Sequence, residues 1–405
     1  MNPICPKCGE WNPGKCKDPQ CPVMAQFRMQ KRMMSSAKQD FFGKSPNVFV
    51  GRHGYPDINV GFLSVEEYAE HDNPLLWSRE NFSIDRIIGL RTSLVNSSFK
   101  SHIKSFDERL VEMGREVGMA EKPVDMEINL SKKPNFSVSL GSEVMPHGPN
   151  IKLKNARITE NPKIPKAVDA AVSDSGLKAG DALEELYRKD VDEHYLTRLL
   201  SIGNLGVKSQ RKLVPTRWSI TAVDDAIGKR IISEVKSYPA HDYAVFFGGH
   251  LGNYYIAIFF PETWGYELFE SYAGSRMTMP QKEKSYMTDY EGYDGRKEYA
   301  FDTAGGYYAA RLAVLEHLKS RRRQASVLLL RFITDEYYAP LGVWVVREAV
   351  RKAMASKPIF FGSKELALQY ARGIARKRFG MNADVFLSRS RLLKNLSTQR
   401  KLSSF

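Results

Sequence analysis

Cys5, Cys8, Cys16 and Cys21 are the only four cysteines in a chain of 405 residues, and all fall within its first 21 with the spacing C-x2-C-x7-C-x4-C. Thiolates two residues apart grip one ion through a tight turn, here Cys5-Pro6-Lys7-Cys8-Gly9, whose glycine permits the positive φ that such knuckles need. Four sulfurs close a tetrahedral zinc site with no open coordination position. The expectation is therefore a structural zinc ion in a small C4 module over residues 1–22, a segment with too few apolar side chains to fold without a metal staple. Free surface thiols and an iron–sulfur cluster are the alternatives. No basic segment followed by an apolar one opens the chain, which predicts a cytoplasmic protein in a reducing compartment, where metal binding outranks disulfide pairing.

At the other end, Gln399, Leu402 and Phe405 recur every three residues, the period that aligns side chains on one face of a 3₁₀ turn. An amide, an aliphatic and an aromatic group then project together from a basic stretch, because nine Lys and Arg between Arg372 and Phe405 stand against one acid, Asp384. An apolar pair with no core to enter waits for a partner. The arrangement resembles the clamp-interacting peptide, or PIP box, by which replication and repair proteins dock on the sliding clamp PCNA. That pattern commonly continues into a second aromatic, whereas Phe405 is the last residue here. The resemblance implies clamp binding by these three side chains, carried on a flexible basic tail over residues 386–405.

Between the two ends, the 60 Lys and Arg outnumber the 46 Asp and Glu to leave a formal charge of +14, which attracts polyanions. Arg321, Arg322 and Arg323 are the densest cluster and the expected phosphate contacts, unless they only complement a helix C-terminus. A membrane span is excluded in the most apolar stretch, Tyr243 to Phe260, by Gly248, Gly249, His250, Gly252 and Asn253, which divide it into two short runs. The expected partners are DNA and the clamp, with no membrane, and a nucleoid association follows from DNA binding.

Residues suited to catalysis are scattered. Arg52 and His53 sit in a Gly/Pro-rich loop, and Arg217, Ser219, Thr221, Asp224 and Asp225 follow Pro215 in a segment whose start alternates like a strand. Together they could line a nucleotide pocket, or form an ordinary turn and a salt bridge. His250 is read as a hairpin-turn residue. Glu267 and Glu270 lie three apart on an extended segment and should face opposite ways. No phosphate-binding glycine loop, H-E-x-x-H or nucleophile elbow is present. Whether the body is an enzyme acting on DNA or a nucleotide, NAD-dependent ADP-ribosyl transfer included, or a non-catalytic DNA-binding factor turns on whether Arg217, Asp224 and a histidine or glutamate converge in a concave pocket.

The elements that must position these groups are mixed. Apolar residues at helical spacing predict helices over Asp181 to Ile202, Thr303 to Ser320, Leu341 to Ala355 and Ser363 to Arg378. Runs apolar at both parities predict buried strands at Tyr243–Phe247, Tyr254–Phe260 and Ser326–Ile333. The fold class is α+β, a mixed sheet with packed helices. The polar, proline-containing stretch from Lys152 to Lys166 marks a boundary near residue 160.

With the C4 head, the terminal heptapeptide, and the segments GRHGYPDINVG (Gly51 to Gly61), KLVPTRWSITAVDD (Lys212 to Asp225) and DTAGGYYAARLAVLEHL (Asp302 to Leu318), the whole chain resembles the archaeal Nre family of DNA repair proteins. The resemblance implies a zinc-finger head over 1–22, an N-terminal family region over 23–160, a C-terminal family region over 161–385 and a clamp-binding tail over 386–405. It implies a role in the DNA damage response, and it supplies no reaction.

Overall fold

The computed structural model describes residues 38–135, 145–273 and 286–398; the four cysteines and Gln399, Leu402 and Phe405 lie outside them. Two compact units divide the chain, Met1–Ile227 with Ala339–Leu341, and Gly228–Tyr338 with Gly342–Phe405.

The first unit is built on a closed barrel of β1 (Asp40–Val50), β2 (Asp57–Val65), β3 (Val95–His102), β4 (Val124–Leu130) and β5 (Asn150–Ile158), in the order β1-β2-β3-β5-β4. Helices α1 (Pro74–Arg79) and α2 (Ile84–Ser93) connect β2 to β3, and α3 (Arg109–Met119) connects β3 to β4. β1 is long enough to serve two neighbours. Its first half pairs with β4 (Asp40↔Asn129 to Ser45↔Val124) and its second half with β2 (Asn47↔Leu63 to Val50↔Val60), with an irregularity between Lys44 and Asn47 where it bends. β3 and β5 run parallel and the remaining neighbours are antiparallel. Alternation sends Val48, Val50, Ile58, Val60, Phe62, Phe99, Met126 and Ile128 inward, and Val111 and Val117 of α3 pack on the same core. Five strands in this order with a helix between the third and fourth make an OB-type barrel. The stretch from Lys152, expected as a boundary, supplies β5, the strand that closes it.

Four more helices follow: α4 (Lys166–Ser173), α5 (Ala179–Arg188), α6 (Glu193–Ser201) and α7 (Thr216–Val235). The sequence predicts one helix from Asp181 to Ile202, and the structure has two. Asp190 takes a left-handed φ of 59°, and Asp192 restarts the helix by accepting the amides of His194 and Tyr195, both at 2.9 Å. The strand-like reading of the segment after Pro215 is also corrected. Ser219, Val223, Ile227 and Ile231 are buried four residues apart, a helical stripe that outweighs the short alternation before it.

The second unit is a six-stranded sheet ordered β11-β6-β7-β10-β8-β9, from β6 (Tyr243–His250), β7 (Asn253–Phe260), β8 (Gly265–Tyr272), β9 (Met287–Glu291), β10 (Ser326–Ile333) and β11 (Ile359–Phe361). The three predicted buried strands are β6, β7 and β10, and they lie in the middle. β6 and β7 form a hairpin whose turn residues Leu251 and Gly252 both have positive φ, 50° and 73°, and His250 pairs with Asn253 across it, as expected. Helices α8 (Ala304–Arg321) and α9 (Trp344–Met354) match the prediction, as does α10 (Lys364–Phe379), capped by Ser363 and ended by Gly380. α10, α11 (Asp384–Leu387) and α12 (Arg391–Thr398) cover one sheet face through Leu368, Ala371, Phe386, Leu387 and Leu392. The flexible tail expected from residue 386 is therefore corrected as far as 398: Phe386, Leu387 and Leu392 are core residues, held by apolar burial that the basic composition conceals.

Candidate nucleic-acid interface

The arginine cluster sits where α8 stops. Arg321 is its last residue, and Arg322 caps it in the left-handed region, φ 52° and ψ 50°, a conformation that costs a side-chain-bearing residue roughly 1–2 kcal/mol and is usually left to glycine. The amides of Arg322 and Arg323 return to the carbonyls of Lys319 and Leu318, both at 3.0 Å, so the backbone turn is closed; the Arg322 guanidinium lies 6.0 Å from the Tyr238 ring centroid and Arg323 Nη1 donates to the Arg322 carbonyl at 3.4 Å. All three are exposed, and among the described residues none forms an ion pair, whereas Lys319 one turn earlier is held by Glu234 at 2.7 Å.

Beside the cluster lies an open groove of about 410 Å³, lined by His241, Asp242, Phe246, His317, Arg321, Arg323, Pro358 and Phe360. Phe360 is 58% exposed and stacks on His241 at 6.2 Å and 17°. His317 stands edge-on to Phe246 and Phe259, with centroids 4.9 and 5.9 Å away, and its Nε2 is buried with no hydrogen-bond partner among the described residues. Burial, reinforced by the positive Arg321 and by His241, pushes the His317 pKa down to about 4, so it is a neutral floor at pH 7. Guanidinium groups beside a flat aromatic surface suit a phosphate with its base. Sequence reasoning found the arginines and missed His241, His317 and Phe360, which come from three separate segments and meet only in the fold.

The other candidates fall in different places. Arg52 and His53 occupy the β1–β2 loop, which lies against the start of α7 carrying Arg217, because Tyr55 and Trp218 are in ring contact at 5.3 Å. Arg217 is exposed there, while Ser219 and Asp224 are buried, Ser219 donating to the Val214 carbonyl at 3.4 Å. Glu267 and Glu270 face opposite ways as predicted. Glu270 accepts from buried Arg331 at 2.6 Å, and Glu267 accepts the amides of Arg391 and Leu392, both at 3.0 Å. His250 lies 3.1 Å from Lys352 through Nδ1, and burial and that lysine lower its pKa to about 4. The residues suited to catalysis are thus spread over the β1–β2 loop, α7 and the sheet.

Comparison with known proteins supplies the lineage. A model of the archaeal Nre N-terminal region matches residues 15–277, and one of the Nre C-terminal region matches 291–405. The boundary expected near 160 falls inside the first of these stretches. The chain is 38% identical over 323 residues to the DNA repair protein NreA of Haloferax volcanii, covering 77% of each. It is 35% identical over 396 residues to the DNA repair protein NreB of Archaeoglobus fulgidus, covering 96% of this chain and 97% of the relative. With NreA of the same organism the identity is 38% over 364 residues, covering 88% of this chain and 90% of the other. No solved structure matches. Two adjoining family regions and relatives that align along nearly their full length leave one reading of the ancestry: the chain belongs to the archaeal Nre family.

Proposed function

We propose that this chain is a DNA repair protein that binds DNA through the arginine surface at the end of α8, is recruited to the sliding clamp PCNA by Gln399, Leu402 and Phe405, and carries a structural zinc ion on Cys5, Cys8, Cys16 and Cys21. The role in repair rests on the relatives, three of which carry that name. The single observation that carries DNA binding is Arg321, Arg322 and Arg323 exposed in a row with no acidic partner among the described residues. A cluster serving only the helix dipole needs no third arginine beyond the cap and no aromatic groove beside it. Clamp recruitment rests on the three-residue period of the terminal anchors, and zinc on a donor set of four thiolates with a two-residue knuckle.

The test is the salt dependence of duplex DNA binding. Each phosphate neutralised contributes about 0.9 to the slope of log affinity against log salt, so replacing Arg321, Arg322 and Arg323 by alanine should lower that slope by about 1–3. A slope unchanged in the triple variant would return the cluster to a helix-capping role.

A further inference from the structure

We propose that the outer face of the barrel, over β1, β2 and β3 with the β1–β2 loop, is a binding surface for single-stranded DNA. It is a second surface, separate in the chain from the arginine cluster, and its argument uses none of that cluster.

Three large aromatics stand out on this face. Phe49 is 41% exposed, Tyr55 42% and Trp218 45%, whereas Phe62 and Trp77 of the same unit are wholly buried; Phe42, 57% exposed, lies on the first half of β1 beside β4. Singly exposed aromatics need no explanation, but Tyr55 and Trp218 are in contact, their ring centroids 5.3 Å apart. The register sets Phe49 opposite Gly61, and Gly61 opposite Ser98, so the ring has a neighbour with no side chain. The space over Gly61 is closed to anything larger, since a Cβ there would lie 1.8 Å from Asn96 Oδ1.

The loop that carries Tyr55 is held rigid. Gly51 N–H bonds to Asn59 O at 2.7 Å, Asp57 N–H to Gly54 O at 2.9 Å, and Ile103 N–H to Pro56 O at 3.1 Å. Gly54 takes φ 83° to make the turn. At its other side, Val50 N–H donates to Thr216 Oγ1 at 3.0 Å, which docks the start of α7 on the end of β1 and sets Trp218 against Tyr55. A surface ordered before binding loses little entropy on binding, which is what a weakly selective stacking site needs.

Charge on the face identifies the occupant. Residues 47–63 and 96–102 of the strands and loop, with 215–218, contain Arg52, His53, Lys100, His102 and Arg217 against one acid, Asp57, and no ion pair among the described residues engages Arg52, Lys100 or Arg217. Asn59 lies opposite Lys100 and Asp57 opposite His102, in rows next to the one that pairs Phe49 with Gly61. Flat rings interleaved with cations fit unpaired bases on a phosphate backbone, because every base has a π-face while a duplex hides its own. A five-stranded barrel of this order presents its second and third strands and the loop before the second to oligonucleotides, and such a barrel takes roughly 4–16 nucleotides.

The experiment is fluorescence anisotropy with the full chain, using a labelled 12-mer of deoxythymidine, a labelled 12-base-pair duplex and a 12-mer of uridine. Tyr55→Ala and Trp218→Ala should each weaken binding of the deoxythymidine strand by about 5- to 150-fold, and leave duplex binding within twofold. Trp218→Phe should restore most of the loss. Because both side chains are exposed, the thermal transition should not move; if it does, Arg52→Glu with Lys100→Glu is the second test, expected to weaken strand binding without touching the ring contact. Unchanged strand affinity in folded variants, equal loss on strand and duplex, or tighter capture of the uridine strand would each overturn the proposal. The arginine triple variant separates the two surfaces. Loss of duplex binding there with intact strand binding supports both readings, and loss of strand binding there alone moves the single-strand site to the end of α8.

Discussion

At the scale of single residues, Asp72 is the most constrained charge in the first unit. Its buried carboxylate accepts from Asn47 Nδ2 at 2.6 Å and pairs with Arg91 and with His194, whose Nε2 lies 3.2 Å away. Burial alone would push its pKa up; the Arg91 guanidinium and His194 outweigh that and hold it well below the ordinary value of 3.8. One carboxylate thereby ties β1, α2 and α6 together. Asp72→Asn should cost about 3–5 kcal/mol, because it strands a half-buried guanidinium. The sign with pH follows from the depressed pKa: the contribution is complete above 3.8 and lost as pH falls below it. Melting temperatures of the parent and the variant, far apart at pH 7, should converge in acid, and a gap independent of pH would show that the charge is not what matters. None of this was legible in the sequence, where Asp72 stands in a turn-like His-Asp-Asn-Pro and its partners are 25, 19 and 122 positions away.

At the scale of elements, α12 is fastened from far along the chain. Glu267, in the middle of β8, accepts the amides of Arg391 and Leu392 and the Ser390 hydroxyl, while Ser390 Oγ also accepts the Leu393 amide at 3.0 Å. The first amides of a helix have no partner within it, and a carboxylate is the anion their positive end favours. Glu267→Ala should therefore free those amides at a cost of about 1–3 kcal/mol. Hydrogen exchange should read it as faster exchange confined to 391–398, with the central strands unaffected; protection retained in α12 would mean that Leu392 burial alone holds it. The strands, their buried middle and the opposed glutamates could be read from alternation, because period and burial are local signals. That Arg391–Thr398 of the basic tail forms a helix could not, since its anchor lies 124 residues upstream. For the same reason the arginine cluster was visible as a run of one residue type, while the rings of its groove and of the barrel face were not.

At the scale of the molecule, the proposed metal and clamp residues precede and follow the two cores in the sequence. Among the described residues no helix is long and apolar enough to cross a membrane, and the core residues run from Phe41 to Leu213 in the first unit and from Val245 to Leu392 in the second. A chain trimmed of residues 1–22 and 399–405 should keep its thermal transition within a degree or two, lose one zinc per chain by metal analysis and fail to capture PCNA in a calorimetric titration. Trimming each end alone should divide the two losses, and a trimmed chain that still captured PCNA would remove Gln399, Leu402 and Phe405 from the clamp contact. The order β11-β6-β7-β10-β8-β9 has one more consequence. A barrel has no free edge, but among the described residues the sheet of the second unit has two, and they are strands of three and five residues. Edges so short offer another chain too few unpaired amides and carbonyls to extend the sheet. A protein that displays aromatic rings to solvent is thereby protected against aggregating through its backbone, and lengthening β11 by a few β-branched residues would remove that protection.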